Sequence, residues 1–351
     1  MSFSGRERIA SQGHTDHPAE LPCHCIMSRL AIGIDLGGTS IKAGLVSEVD
    51  GLIEERSVLT EAEAGSERVL DQIGDLILGF LTAHPDICGV GLGFPGAVNW
   101  ERTVAMKPVN IAGWDRINVS DALRACLGIP LPVLVENDAN AAALGSSQFG
   151  AGRAFDSFIM VTLGTGVGGA IIYQNRIFRG ATGSAGEIGH MTIDFEGPKA
   201  RSGVSGAIEA YLGQRFLSRH ARYQLMNDTT SVVHSMAGKD LLDMSPKILH
   251  DAALQGDPGS IEILAWAGHK LGVVLGSAAN LLDIRKVVVG GGISAAGDFI
   301  LESARQSMVE YTTPALRDGL EIVQEPGGND MGMLGAANLI FQHLDDSLSN
   351  G

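Results

Sequence analysis

Two aspartates stand where apolar runs break. Asp35 ends Leu30-Ala-Ile-Gly-Ile and is followed by Gly37, Gly38 and Thr39; Asp138 follows Val133-Leu-Val-Glu-Asn and precedes an alanine-rich stretch from Ala139 to Leu144. Where no Cβ intervenes, backbone N–H groups and a Thr hydroxyl can turn toward an oxyanion. A carboxylate beside such a turn suits a divalent cation that bridges phosphate oxygens. A second turn of like composition, Gly164, Thr165 and Gly166, follows Ser157-Phe-Ile-Met-Val-Thr162, and a third glycine run, Gly290, Gly291 and Gly292, ends Lys286-Val-Val-Val. Any one of these turns reads more simply as a tight hairpin; two matched turns and a third make coincidence a poor account. Facing one another across a cleft, the two hairpins would grip a polyphosphate from both sides, with Asp35 where Mg2+ joins the phosphates. Asp138 fits two jobs. A carboxylate at a strand-to-helix junction can take the proton of an attacking alcohol, a contribution of ~10²–10⁴-fold. It can equally, like its neighbour Asn137, cap the helix that begins at Ala139.

Two familiar phosphate motifs are excluded. Gly164-Thr-Gly-Val-Gly-Gly169 fits GxGxxG, and Glu187 lies near the acidic position of that pattern. A dinucleotide turn must open a helix, whereas this one leads into Ala170-Ile-Ile-Tyr173, a strand, and then a turn at Gln174-Asn175. No GxxxxGK[ST] occurs, so there is no P-loop.

The elements that must position these residues follow from hydrophobic period. Strands are expected at Leu30–Asp35, Ile41–Val46, Gly89–Phe94, Val133–Glu136, Ser157–Thr162, Gly169–Tyr173 and from Lys286. Val69, Leu70, Ile73, Leu76, Ile77 and Phe80 share one face of a helix over about Ser66–Ala83, which His84-Pro85 ends. Further helices are expected over about Ser260–Leu282 and Gly335–Leu344. Leu36-Gly-Gly-Thr against Leu163-Gly-Thr-Gly is a weak internal repeat of half the chain, and it argues for two related domains. At 351 residues the chain is long for one core, which agrees.

The assembled motifs resemble the ROK family of repressors, open reading frames and sugar kinases. They are Asp35-Leu-Gly-Gly-Thr-Ser-Ile-Lys42, Gly93-Phe-Pro-Gly96, Glu136-Asn-Asp-Ala-Asn-Ala-Ala-Ala143, Leu163-Gly-Thr-Gly-Val-Gly-Gly-Ala170, Gly186-Glu-Ile-Gly-His190 and Val289-Gly-Gly-Gly-Ile293. They stand in family order over about residues 30 to 340. The resemblance implies an α/β, actin-like ATPase (ribonuclease H-like) fold with two domains flanking a central cleft. The small domain would hold 29–140 and a C-terminal helix at about 332–348, the large one 141–331. It implies a cytoplasmic, ATP- and Mg2+-dependent sugar kinase, a homodimer, with glucose phosphorylated at its 6-hydroxyl. An N-acetylhexosamine kinase (N-acetylmannosamine or N-acetylglucosamine) and a non-catalytic sugar-sensing regulator are the alternatives. It turns Asp138 toward the base and Asn137 toward a sugar hydroxyl. Gly96, Asn110, Glu187, His190 and Glu209 complete the sugar cradle, and Lys42 joins the glycines on the nucleotide.

Two departures stand out. Many family members hold a structural zinc with cysteines in a CxCGxxGCxE segment; the matching stretch here is Ala200-Arg-Ser202-Gly-Val-Ser-Gly-Ala207-Ile-Glu209. One imidazole cannot make a tetrahedral zinc site, so no structural zinc is expected and local packing must order the loop. Ser146 stands where the family usually carries Glu.

Composition narrows the partners. Lys and Arg number 25 against 40 Asp and Glu, a net charge of −15 that argues against nucleic acid as the main partner. The four cysteines include no CxxC and read as reduced thiols. Cys23-His24-Cys25, with His14 and His17, could be drawn as a metal cluster, but its spacing matches no zinc pattern. Residues 1–28 read as a polar, poorly ordered leader without a signal-peptide core, too short and too polar for a helix-turn-helix. No apolar run reaches the length of a membrane span.

Overall fold

The computed structural model describes residues 28–108, 111–128 and 130–349. The leader up to Met27, with its Cys-His-Cys cluster, and the sugar-cradle candidate Asn110 lie outside them.

Strand β1 (Leu30–Leu36) turns back as β2 (Ser40–Ser47) and β3 (Gly51–Leu59), and helix α1 (Ser66–Ala83) returns the chain to β4 (Val90–Phe94). A small antiparallel insert follows, β5 (Ala97–Val98), β6 (Val104–Met106) and β7 (Arg116–Asn118), then α2 (Val119–Leu127), β8 (Val133–Asn137) and α3 (Asp138–Phe149). The second half repeats the plan with β9 (Phe158–Leu163), β10 (Val167–Tyr173) and β11 (Arg176–Ile177). Helices α4 (Glu209–Leu212), α5 (Gln214–Leu225), α6 (Val233–Met236), α7 (Pro246–Leu254) and α8 (Pro258–Leu282) precede β12 (Lys286–Gly290), α9 (Asp298–Glu310), β13 (Glu321–Gln324) and α10 (Met331–Ser349).

The two five-stranded sheets run in the orders β3-β2-β1-β4-β8 and β11-β10-β9-β12-β13. In each, an antiparallel hairpin opens the sheet and parallel strands close it. The glycine-turn repeat in the sequence is thus the trace of one topology used twice.

Alternation sends the strand side chains to opposite layers. Ile32, Ile34 and Leu36 of β1 pack with α1 and α2. Ile159, Val161 and Leu163 of β9 pack with the helices that follow it. Ala31 of β1 and Phe158 and Met160 of β9 face a third cluster with α3 and α10, between the two sheets. That middle layer is unusually close. A Cβ on Gly33 would strike the Met333 carbonyl, one on Gly91 the Ala336 carbonyl, and one on Gly335 the Ala141 carbonyl. Helix α10 therefore lies backbone-to-backbone on β1, β4 and α3, which the glycines on both sides of these contacts permit.

Helix α1 has the bounds expected of it, while α10 begins at Met331 and runs to Ser349, well beyond the apolar stretch that announced it. Among the described residues no helix is long and apolar enough to cross a membrane.

Candidate active site

At the end of β1, Asp35 is the cross-strand neighbour of Lys42 on β2 and the parallel neighbour of Gly93 on β4. It is half-buried, and burial raises its carboxyl above the usual range while Lys42 pulls it down. Two glycines make room for it. A Cβ on Gly332, in the first turn of α10, would sit 3.0 Å from Asp35 Cγ, and one on Gly93 would sit 3.8 Å from Oδ1. The turn beyond is tied down by Gly37 N donating to Ser40 O at 3.0 Å and Thr60 Oγ1 donating to Gly37 O at 2.8 Å. Gly38 and Thr39 stay exposed. Lys42 Nζ reaches Asp330 Oδ1 at 3.3 Å and Glu55 Oε1 at 3.4 Å. Burial works against its charge, but those carboxylates outweigh it and hold the ammonium above its ordinary value.

The β8–α3 junction separates the two jobs that Asn137 and Asp138 shared on paper. Asn137 caps the helix: its Oδ1 accepts from Ala139 N at 3.0 Å and Asn140 N at 3.2 Å, while Nδ2 donates to Gly96 O at 3.3 Å. Asp138 shares only the Ala139 N–H, at 2.9 Å, and otherwise faces the cleft, open to its water yet crowded by protein. Its carboxyl is pushed up to about 6, first by desolvation and then by the charges of Asp35 and Glu187, with the Ala139 N–H opposing. A carboxylate poised there can accept a proton near neutral pH.

Asp35, Gly37, Ser40, Lys42 and Asp138 line a cavity of about 320 Å3 together with Met160, Thr162 and Gly291 of the second half, Gly328 in the turn before α10, and Met331 and Gly332 at its start. Gly291 has φ +85°, and a Cβ on it would run into Leu163 O, so only glycine fits. Gly290 is buried at the end of β12, and Gly292 opens the short 3-10 turn after it, with free space where a Cβ would stand. Gly38, Thr39, Gly164, Thr165 and Gly166 stand at the hairpin tips and do not line this cavity. Two carboxylates beside bare glycine backbone and one ammonium fit a polyphosphate carried with a divalent cation.

Thr162, Ser40 and Met160, which carry no motif of their own in the sequence, also line the cavity. Thr162 was legible in one way: extending the repeat one residue upstream sets it against Asp35.

The sugar-cradle candidates of the second half, Glu187, His190 and Glu209, do not line this cavity. Glu187 immediately precedes the one-turn 3-10 helix Ile188–His190, and its Oε2 lies 3.7 Å from His190 Nε2. The other ring nitrogen, Nδ1, is 3.2 Å from Ser202 Oγ. Glu209 opens α4 and is half-buried. Its Oε2 accepts from Val167 N at 3.4 Å, and a Cβ on Gly166 would stand 2.5 Å from it, so Glu209 braces the Gly164–Gly166 turn.

The loop between His190 and Glu209 is ordered without cysteines. Ala200 and Ala207 are buried, bridges pair Thr192 with Ala207 and Lys199 with Ser205, and Tyr211 OH donates to Asp194 Oδ2 at 3.1 Å. Among the described residues, no group of three or more His, Cys, Asp or Glu side chains is placed to hold a metal ion. Ser146, at the family's Glu position, donates to buried Glu325 just past β13, so a carboxylate reaches that place from elsewhere in the chain.

Known proteins place this geometry. A glucokinase of Thermotoga maritima is 33% identical over 313 residues, 89% of this chain and 98% of that protein. One of Streptomyces coelicolor is 35% identical over 318 residues, 88% of this chain and 97% of that protein. The crystal structure of a ROK family glucokinase from Streptomyces griseus, in complex with glucose and AMPPNP, superimposes with a TM-score of 0.77 at 34% identity, covering 89% of this chain and 99% of that one. Two like sheets flanking a cleft are the actin-like ATPase fold that the motifs implied. The ROK family model matches residues 31–343. With that span and these relatives, the chain belongs to the ROK family.

Proposed function

We propose that this chain is an ATP-dependent sugar kinase that transfers the γ-phosphoryl group to the 6-hydroxyl of glucose. The observation that carries this reading is Asp138: an accessible carboxylate, freed from capping by Asn137, in the same cavity as Asp35 and Lys42. Relatives named glucokinase, at 33 and 35% identity along nearly their whole length, support glucose as the acceptor.

In this reading Asp138 accepts the proton of the attacking hydroxyl, and Asn137, Gly96, Asn110, Glu187, His190 and Glu209 hold the sugar. Gly37, Gly38, Thr39, Lys42, Gly164, Thr165, Gly166, Gly290, Gly291 and Gly292 face the nucleotide. Asp35 holds Mg2+, which would offset the charge on the transferred phosphoryl oxygens. The lobes are 29–140 with the C-terminal helix, and 141–331. We assign the enzyme to the cytoplasm, as a homodimer.

A coupled ADP-release assay over glucose, N-acetylmannosamine, N-acetylglucosamine, fructose and allose tests the reading. Turnover that requires glucose supports it, and turnover only with an N-acetylhexosamine moves the substrate to that class. Sugar binding without turnover would make the chain a sensor and end the kinase reading.

A further inference from the structure

We propose that Arg179 is a positioning residue for the sugar side of the cleft, clasping the β8–α3 junction that carries Asn137 and Asp138 to the loop that carries Glu187 and His190. The proposal rests on the kinase reading above.

Arg179 follows β11 in the second half, and its own carbonyl folds the loop beyond it, accepting from Gly183 N at 3.1 Å and Ala185 N at 3.3 Å. Gly186 and Glu187 come next. Its side chain leaves that half altogether. Nη1 donates to Trp100 O at 2.6 Å and Nη2 to Asn99 O at 3.0 Å, both in the turn after β5, and the guanidinium lies 5.2 Å from the centre of the Trp100 ring. Nε stands 3.2 Å from Glu136 Oε2, an ion pair without an aligned hydrogen bond.

Glu136 is fully buried one residue before Asn137. Its Oε1 accepts from Asn137 N and Asn140 Nδ2, each at 3.0 Å, and its Oε2 from Arg102 Nε at 2.9 Å. One carboxylate therefore fixes the backbone at the base's doorstep, and two guanidinium groups fix the carboxylate. Arg102 keeps a quarter of its side chain in water; Arg179 keeps 6%.

A surplus positive charge in so dry a place is costly and does not by itself favour folding. The Asn99 and Trp100 carbonyls and the Trp100 ring are what compensate it. That job needs a planar fork, because two backbone carbonyls and a buried carboxylate must be served at once and an ammonium on a flexible stem cannot meet them together. Held this way, Gly96, Asn137 and Asp138 keep their spacing from Glu187 and His190 only while Arg179 spans the halves. Among the described residues, no hydrogen bond or ion pair joins the phosphate-facing residues Asp35, Lys42 and Thr162 to Arg179, Arg102 or Glu136.

The test is steady-state kinetics of the full chain with glucose and with ATP, together with glucose calorimetry, for the parent, Arg179→Lys and Arg179→Met. We expect Arg179→Lys to raise the glucose KM and calorimetric Kd about tenfold, with kcat and the ATP KM within about threefold of the parent. Arg179→Met should do at least as much; should it fail to fold, the lysine variant decides. A folded Arg179→Lys protein with unchanged glucose KM, or with both KM values raised alike, overturns the proposal. A parent that binds glucose but does not turn over ends the kinase reading while the calorimetric comparison still tests the clasp. A parent that binds no hexose overturns both.

Discussion

Asp35 and Thr162 occupy the same place in two copies of one sheet. Each is the penultimate residue of its sheet's opening strand, each pairs in parallel with a glycine, Gly93 or Gly290, and both line the same cavity. The equivalence is geometric; the charges differ. Asp35→Asn removes the carboxylate assigned to the cation and should lower kcat by ~10² or more. Thr162→Val removes one neutral hydroxyl and should raise the ATP KM roughly two- to tenfold. Steady-state kinetics of both variants check this, and equal losses in the two would dissolve the assigned difference of role.

The pH profile follows from Asp138. Only the ionised carboxylate accepts a proton, and its pKa is pushed up to about 6. Parent kcat/KM should therefore fall below that pH with unit slope. Asp138→Asn should lower kcat by ~10² or more with glucose affinity held within about tenfold. A variant nearly as fast as the parent would remove Asp138 from the reaction.

The same carboxylate weakens the fold at neutral pH. Its folded value, about 6, lies above the ordinary 3.8, so the folded chain holds the proton more tightly than the unfolded one. The resulting stabilisation is complete below the ordinary value and is lost as pH rises through about 6. At pH 7.5 Asp138 is charged beside the charges of Asp35 and Glu187. Asp138→Asn should melt higher than the parent there, with the gain fading as the buffer is taken from pH 6 toward pH 4. Thermal melts across that range decide it, and a variant less stable at pH 7.5 would contradict the electrostatics.

What could be read in advance, and what could not, follows from range. Asp138 was legible because strand, cap and helix signals are local, and the structure gives the cap to Asn137. Thr162 reads as an ordinary β-branched strand residue, and only its counterpart in the first hairpin marks it. Lys42 meets Asp330 across 288 positions, and Arg179 meets Trp100 across 79, distances at which no periodicity speaks. Glu209 was expected on the sugar, yet its contact with the Gly166 turn needs two segments 43 residues apart to meet. The apolar period alone gives α10 only about Gly335–Leu344, short of the 332–348 that the resemblance implies and of Met331–Ser349 in the structure, because Gly332 discourages a helix in isolation, whereas here Gly332 and Gly335 are its contact surface.

That contact surface makes a stability prediction. A methyl on Gly335 would overlap the Ala141 carbonyl, and rigid backbone cannot step aside as a side chain would. Gly335→Ala should cost at least the ~1–3 kcal/mol typical of overpacking. Gly292→Ala, with nothing within 4 Å of the added carbon, is the control and should melt close to the parent. Urea unfolding of both compares them directly, and an equally mild effect at Gly335 would mean that α10 does not lie flush on α3.

The loop before Glu209 should depend on hydrogen bonds where relatives of the family use a metal. Tyr211 is buried, and its OH donates to Asp194, which begins the turn closed by Gly197 N to Asp194 O at 3.0 Å and Ile193 N to Gly206 O at 2.9 Å. Burial and the Asp194 carboxylate push the phenol up to about 12, so it stays a donor throughout the working pH range. The same loop presents Ser202 to His190. Tyr211→Phe leaves Asp194 short of a partner and should cost about 1 kcal/mol. The loosened loop should raise the glucose KM several-fold while the ATP KM stays put. A zinc-selective chelator, with Mg2+ kept in excess, should leave parent activity within about twofold, since the sequence between His190 and Glu209 carries no cysteine to hold a metal. Loss of activity to the chelator, restored by zinc, would show that a metal and not Tyr211 orders this loop.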